Sequence, residues 1–253
     1  MGFTVITGGI GCGKTTLIHS LLGTLNDDVT VGLVSNVRED SGELLNWVLM
    51  AFNQPIADMS YPLLYQKFEN FVKSEFGAGR RVVLIIDEAQ NLGLKTLEEL
   101  RLLFNINTSK EQLLQLILVG QPELRRQLQS PELVQFTQRI SSDFHLEPLP
   151  DTEVKNYIMQ RIAIAGGERA LFSDEACQLI AEASQGIPRT INVLCDRCLT
   201  YAFALSAPLV SVTTVQQVLH DKEKYGIFQT GTGELPQDRL RAVPAPHAVN
   251  EAH

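Results

Sequence analysis

The chain has 253 residues, 44% of them hydrophobic and 20% charged, a balance that excludes disordered and fibrous classes. Lys and Arg number 21 against 29 Asp and Glu, and the formal charge of −8 disfavours wrapping nucleic acid or an anionic membrane by net charge. No apolar stretch is long enough to span a bilayer, Met1 leads into a strand pattern rather than a signal peptide, and four cysteines make no disulfide framework, so a cytoplasmic setting is expected.

Phe3–Thr7 reads as a short strand, and a helix pattern starts at Lys14 with Leu17, Ile18, Leu21, Leu22 and Leu25 on one face. Val29–Val34 is the next apolar strand. Leu44, Leu45, Val48, Leu49 and Phe52, then Leu64, Phe68, Phe71 and Val72, recur at helical spacing. Arg81–Ile86 carries a continuous Val-Val-Leu-Ile-Ile run, the pattern of a strand buried on both faces. Leu97, Leu100, Leu103 and Phe104 mark another helix, Leu114–Val119 another buried strand, and Asp143–Leu149 a fifth strand. Five strands separated by helices predict an α/β fold, a parallel five-stranded sheet with helices on both faces, over residues 1–149.

After Asp151 the strand signals stop. Val154, Ile158 and Ile162 share a helical face, and Ser173 is a good N-cap for a helix carrying Ala176, Leu179, Ile180 and Ala183. Gly186 ends that helix and Pro188 opens the next, with a stripe of Ile191, Leu194, Cys195, Cys198, Leu199 and Ala202. Ser211 or Thr213 caps a last helix bearing Val215, Val218 and Leu219. The expectation is a small all-helical lid over 150–221. From Lys222 onward four basic residues balance four acidic ones among scattered glycines and prolines, so 222–253 reads as a flexible tail and the −8 sits on 1–221.

Between the first strand and its helix lies Gly8-Gly9-Ile10-Gly11-Cys12-Gly13-Lys14-Thr15, followed by Thr16. It matches the Gly-x-x-x-x-Gly-Lys-Ser/Thr phosphate loop in the strand-loop-helix context that the pattern requires. Glycines let the backbone curl its N–H groups around phosphate oxygens at the positive end of the helix dipole. Lys14 is expected to reach the β- and γ-phosphates and Thr15 to take one position on Mg²⁺. The second half of the site is the acidic pair Asp87-Glu88, ending the buried strand at the edge where open α/β sheets bind ligands. Asp87 suits Mg²⁺, and Glu88 suits the polarisation of an attacking water.

With these motifs in place, Asp87-Glu88-Ala89-Gln90-Asn91 and Val119-Gly120-Gln121-Pro122-Glu123-Leu124 resemble one branch of the AAA+ P-loop ATPases, the general secretion pathway protein A (ExeA-like) family with its relatives in exopolysaccharide export. Leu97–Leu103, Gln138-Arg139-Ile140 and Gly186-Ile187-Pro188-Arg189 leading into Ile191–Asp196 add to the likeness, which runs from about Phe3 to about Phe228. AAA+ transposition regulators share the core pattern. The resemblance implies Mg²⁺-dependent ATP hydrolysis by a homo-oligomer, a ring or filament, serving assembly or remodelling with a protein partner in secretion or polysaccharide export, in the cytoplasm and peripheral to the inner membrane. It also implies a γ-phosphate sensor at Gln121, an arginine finger at Arg139 that acts in a neighbouring subunit, and a second sensor at Arg189. Arg125 and Arg126 are rivals for the intersubunit role, or else a solvated face.

The chain departs from the family pattern in two places. Met1 stands almost on the first strand, where relatives carry a segment covering the adenine, so a less selective adenine pocket is expected. Many secretion members carry a peptidoglycan-binding domain or anchor after the lid, and residues 222–253 are expected to supply neither. Two readings stand beside secretion: an ATP-dependent DNA-binding regulator, which net charge does not favour, and a nucleotide-gated scaffold, which the intact Asp87-Glu88 pair weighs against. Cys195 and Cys198 have half a zinc-site spacing but lie on an apolar helical stripe, so core packing is expected. Trp47 also reads as packing. His19, His145, His220, His247 and His253 have no ligand spacing, and Gly79-Arg80-Arg81 is too sparse for a nucleic-acid patch.

Overall fold

The computed structural model describes residues 2–35, 44–56, 59–107, 111–167 and 171–225, with the side chain of residue 225 left aside. Five strands, β1 (Phe3–Gly8), β2 (Val29–Val34), β3 (Arg81–Ile86), β4 (Leu114–Gly120) and β5 (Ile140–Leu146), form one sheet in the order β2-β3-β4-β1-β5. Every pairing is parallel. Parallel neighbours require crossovers, and helices supply them: α1 (Lys14–Thr24), α2 (Leu44–Ala51), α3 (Tyr61–Gly77), α4 (Leu94–Leu103), α5 (Pro122–Leu128) and the single turn α6 (Val134–Thr137). The α/β class and the helix-covered parallel sheet are as the sequence predicts.

The central strands alternate between two apolar layers, as the period of two demands. Val82, Leu84 and Ile86 join Phe3, Val5, Leu45, Leu49, Phe68 and Leu97 on one face, and Trp47 packs against this cluster. Val83 and Ile85 point the other way, to Ile18 and Val119, with Leu21 and Leu22 alongside. Helix α1 is less regular than its sequence implies. Leu17 is 41% exposed and Leu25 is the C-cap, so the buried face reduces to Lys14 and Ile18.

Strand β5 begins three residues earlier than the sequence pattern places it and stops at Leu146, where pairing with Gly8 ends. Its run Ile140-Ser141-Ser142-Asp143 lacks an apolar signature because β5 is a sheet edge, with Ser141, Asp143, Phe144 and His145 exposed.

Helices α7 (Asp151–Ile164), α8 (Asp174–Ser184), α9 (Pro188–Ala204) and α10 (Val212–Tyr225) follow. They bury a separate cluster that includes Val154, Ile158, Ile180, Ile191, Leu194, Cys198, Val215 and Val218. Ser173 caps α8 through its Oγ, which accepts the Ala176 N–H at 3.1 Å, and Pro188 stands in the first turn of α9. Of the two candidate caps for α10 it is Ser211 that accepts an N–H, from Thr214 at 3.4 Å. Helix α10 continues through Tyr225, past Lys222, where the sequence reading opened the tail; residues 226–253 lie outside the described residues.

One ion pair ties α3 to the sheet. Arg80 donates to Glu75 at 2.7 and 2.6 Å, and Thr30 on β2 donates to the same carboxylate. The Arg80 bonds first, then the Thr30 bond, hold Glu75 down from 4.5 to about 2. A carboxylate with a lowered folded pKa adds stability above its unfolded value, and that contribution is lost as pH falls from 4.5 toward 2. Thermal melts across this acidic range should therefore show a steeper loss for the wild type than for Glu75→Gln. Parallel slopes would dismiss the contribution.

Candidate active site

Strands β1, β3 and β4 end side by side, with Thr7 opposite Gly120 and Ile86 opposite Leu118. Gly8, which ends β1, and Asp87 and Gln121, which follow β3 and β4, therefore emerge along one carboxyl edge. Strand β4 lies between β1 and β3, which separates the glycine loop from the acidic pair by about 10 Å, two strand spacings.

The loop conformation explains its glycines. Gly11 and Gly13 adopt φ of +82° and +95°, a region open to glycine without penalty. Gly13 is the N-cap of α1, so the free N–H groups of the first turn face the loop. Lys14 is 7% exposed, and its Nζ donates to the carbonyls of Gly8 at 2.8 Å and Gly9 at 3.0 Å. These bonds hold a buried ammonium against the loop and aim it at whatever anion the loop encloses. Cys12 is half-buried, with its N–H on Gly9 O at 3.3 Å, while Ile10 and Thr16 are exposed.

Thr15 donates from Oγ1 to Asp87 Oδ2 at 3.5 Å, bringing a hydroxyl and a buried carboxylate together across the gap. Two hard oxygen donors fit Mg²⁺, which takes few protein ligands and completes its shell with water and phosphate oxygens. Among the described residues no group of three or more His, Cys, Asp or Glu side chains gathers at metal-binding distance, so a cage of protein ligands is not built here.

Glu88 follows with a left-handed backbone, φ +55°, unusual for a side chain of this size. Its N–H donates to Asp87 Oδ1 at 2.8 Å, and its carbonyl accepts from Asn91 at 2.9 Å. The carboxylate accepts at Oε2 from Gln90 Nε2 at 2.5 Å and from Gln121 Nε2 at 3.2 Å. Gln121 thus meets Glu88 through its side chain and Gln90 through its backbone. Gln90 has no assigned role in the sequence reading, and its contact to Gln121, 31 positions away, is invisible to any local pattern.

Arg189 reaches the loop by its backbone: its N–H donates to Gly11 O at 3.2 Å. A Cβ on Gly11 would stand 2.9 Å from Arg189 Cβ and 3.1 Å from Ile187 Cγ2, so glycine is needed for this approach as well as for φ. The Arg189 side chain is exposed at the first turn of α9.

Arg139 is not part of this cluster. It precedes β5 at the opposite edge of the sheet, where its carbonyl accepts the Phe3 N–H at 2.7 Å. Strand β1 separates Phe3 from Gly8 by five residue rises, about 17 Å. Arg125 is engaged by Asp143 at 3.0 Å in an exposed pair, and Arg126 is exposed.

Cys195 and Cys198 pack in or against the α7–α10 core, and burial pushes both thiols up to about 12. Such thiols are poor nucleophiles and poor metal ligands at neutral pH.

A glycine loop between β1 and α1, an acid pair closing β3, and the order β2-β3-β4-β1-β5 together define a P-loop NTPase fold. The family model described as AAA domain matches residues 1–128, and the chain belongs to that family. General secretion pathway protein A of Aeromonas hydrophila is 39% identical over 204 residues, which cover 80% of this chain and 37% of that protein. Among solved structures, the Aeropyrum pernix ORC2 protein aligns over 87% of this chain and 62% of its own, with TM-score 0.62 and 18% identity. Cdc6p of Pyrobaculum aerophilum aligns over 96% and 65%, with TM-score 0.61 and 17% identity. A Thermotoga maritima RuvB mutant aligns over 90% and 65%, at 0.55 and 19%. The chain thus spans little more than a third of the curated relative and under two thirds of these structures.

No described helix is long and apolar enough to cross a membrane.

Proposed function

We propose that this chain hydrolyses ATP with Mg²⁺ as a homo-oligomer, with an α/β body over 1–149 and a helical lid over 150–221. The proposed task is to couple turnover to assembly or remodelling in a secretion or polysaccharide-export system. One observation carries the chemical part: the carboxyl edge of one sheet holds Lys14 on its glycine loop, the Thr15–Asp87 pair, and Glu88 within reach of Gln121. The secretion assignment draws on the likeness to general secretion pathway protein A.

In this reading the loop N–H groups and Lys14 bind the β- and γ-phosphates. Mg²⁺, held by Thr15 and Asp87, supplies charge neutralisation at the phosphate oxygens. Glu88 orients the water for in-line attack and takes up its proton. Gln121 senses the γ-phosphate, and Arg189 carries lid closure to the loop it already touches. Arg139, on the far edge of the sheet, serves the site of a neighbouring subunit.

A trans-acting arginine makes turnover depend on assembly. ATPase activity per chain should rise with protein concentration in the absence of DNA. Strict proportionality of rate to concentration would overturn the oligomer requirement. Stimulation by double-stranded DNA with a steep salt dependence would replace the secretion reading by the regulator reading. Zero turnover at every concentration would leave the scaffold.

A further inference from the structure

The Gln90 side chain bonds to both Glu88 and Gln121, and the reaction as described above gives it nothing to do. It follows the acid pair in a short 3₁₀ turn, Ala89–Asn91. Its Nε2 donates to Glu88 Oε2 at 2.5 Å. Its Oε1 accepts the backbone N–H of Gln121 at 2.9 Å, at the point where β4 gives way to α5. Its own carbonyl accepts from Gln127 Nε2 on α5 at 3.0 Å.

The orientation of this amide is forced. The Gln121 backbone N–H can only donate, so it requires the oxygen of Gln90; the –NH₂ must then face Glu88, whose ionised carboxylate can only accept. Flipping the amide would oppose donor to donor at one end and acceptor to acceptor at the other. Space for the amide is also reserved. A Cβ on Gly120 would lie 2.8 Å from Leu124 Cδ2 and 2.9 Å from Gln90 Oε1, so Leu124 and the amide together account for a glycine at the end of β4 with no positive φ to demand one.

We propose that Gln90 is a positioning residue for Glu88, resting on the reading of Glu88 as the group that orients water. Both amide donors, from Gln90 and Gln121, fall on Oε2. The carboxylate is thereby fixed with Oε1 as the oxygen that accepts from the attacking water. Glu88 sits at φ +55°, a conformation that persists only where the surroundings over-determine it, and the Gln90 bond is one of those restraints. Because the same amide holds the Gln121 N–H, a shift of α5 moves the carboxylate with it.

The test is steady-state ATP hydrolysis with Mg²⁺ by the full chain and by Gln90→Met and Gln90→Glu, with thermal melts alongside. Gln90→Met keeps the length and removes the donor; Gln90→Glu keeps an acceptor for Gln121 and sets a like charge against Glu88. Loss of a hydrogen bond to a charged group should lower kcat by about ten- to a hundredfold, more for Glu than for Met. KM for ATP should stay within about twofold, because the phosphate loop is untouched. Gly120→Ala, which crowds the amide oxygen and Leu124 without deleting either, should show the same split and serves if either variant fails to fold. Unchanged kcat in the variants, or a KM that rises in step with the fall in kcat, overturns the proposal. A wild-type chain without turnover fails the hydrolysis reading itself, whereas wild-type turnover with indifferent Gln90 variants fails this inference alone.

Discussion

Glu88→Gln is expected to abolish most turnover while leaving nucleotide binding intact. The substitution keeps shape and volume, and the amide oxygen of the new side chain can still accept from Gln90 and Gln121, whose bonds now fall on Glu88 Oε2 at 2.5 and 3.2 Å. What disappears is the negative charge that in the proposed mechanism polarises water and accepts its proton, a loss of about 10²- to 10⁴-fold where such a base acts in the transition state. The phosphate loop lies across β4 and does not register the change. Lys14→Ala should behave in the opposite way. It removes the ammonium that spans Gly8 O and Gly9 O, leaves Gly9 O with the Cys12 N–H alone, and deletes the fixed positive charge proposed to meet the phosphates. Binding of a fluorescent ATP analogue should therefore survive Glu88→Gln and collapse in Lys14→Ala, with hydrolysis lost in both. Wild-type turnover in Glu88→Gln would remove the water-orienting role from Glu88.

The contrast between these two residues also shows how much of the molecule is local. The glycine loop is legible because its chemistry is written in consecutive residues: positive φ at Gly11 and Gly13, and a lysine one position into the helix. Strands β3 and β4 are legible because burial on both faces leaves a near-continuous apolar run. Asp87 and Glu88 are placed by ending such a strand. Pattern reading fails where the partner is remote. Gln90 depends on Gln121, the Gly11 glycine depends on Arg189, and neither pair leaves a periodic trace. It fails again at β5, where a solvent-facing edge strand reads as polar loop, and at Leu17, where helical spacing implies a buried face that the phosphate loop has left open.

The charge balance has a consequence for the site. With −8 on residues 1–221, attraction of a polyanion cannot come from net charge. It falls to the loop N–H groups, the α1 terminus and Lys14, all within one turn of chain, and to the cation that Thr15 and Asp87 can hold. Raising ionic strength should thus affect nucleotide binding less than it would for a protein that gathers its ligand through a broad basic surface.

Gly186→Ala should be among the most damaging single-methyl additions outside the phosphate loop. Gly186 sits at φ +69°, and a Cβ there would stand 1.9 Å from Leu149 O and 2.9 Å from Leu149 C. The two backbones are already bonded, Leu149 N–H to Gly186 O at 2.9 Å, so neither can retreat without breaking that contact. Leu149 is the exit from β5 towards α7, and three residues past Gly186 the Arg189 N–H holds Gly11 O at 3.2 Å. A methyl at 186 therefore pushes the start of α9 off the phosphate loop. A left-handed alanine and an overpacked backbone contact together cost about 2–5 kcal/mol. For a chain of this size that is a fall in melting midpoint on the order of 5–15 °C. Leu149 packs against the rim of the α7–α10 core and Gly186 is buried, so the damage should fall on that rim and on docking of the helices onto the loop. Nucleotide affinity should consequently fall with the midpoint. Gly23→Ala provides the control: Gly23 lies within α1, its Cβ would meet nothing within 4 Å, and alanine there should be neutral or stabilising. If Gly186→Ala melted and bound nucleotide like the wild type, the latch between Leu149, Gly186 and Gly11 would have no energetic content.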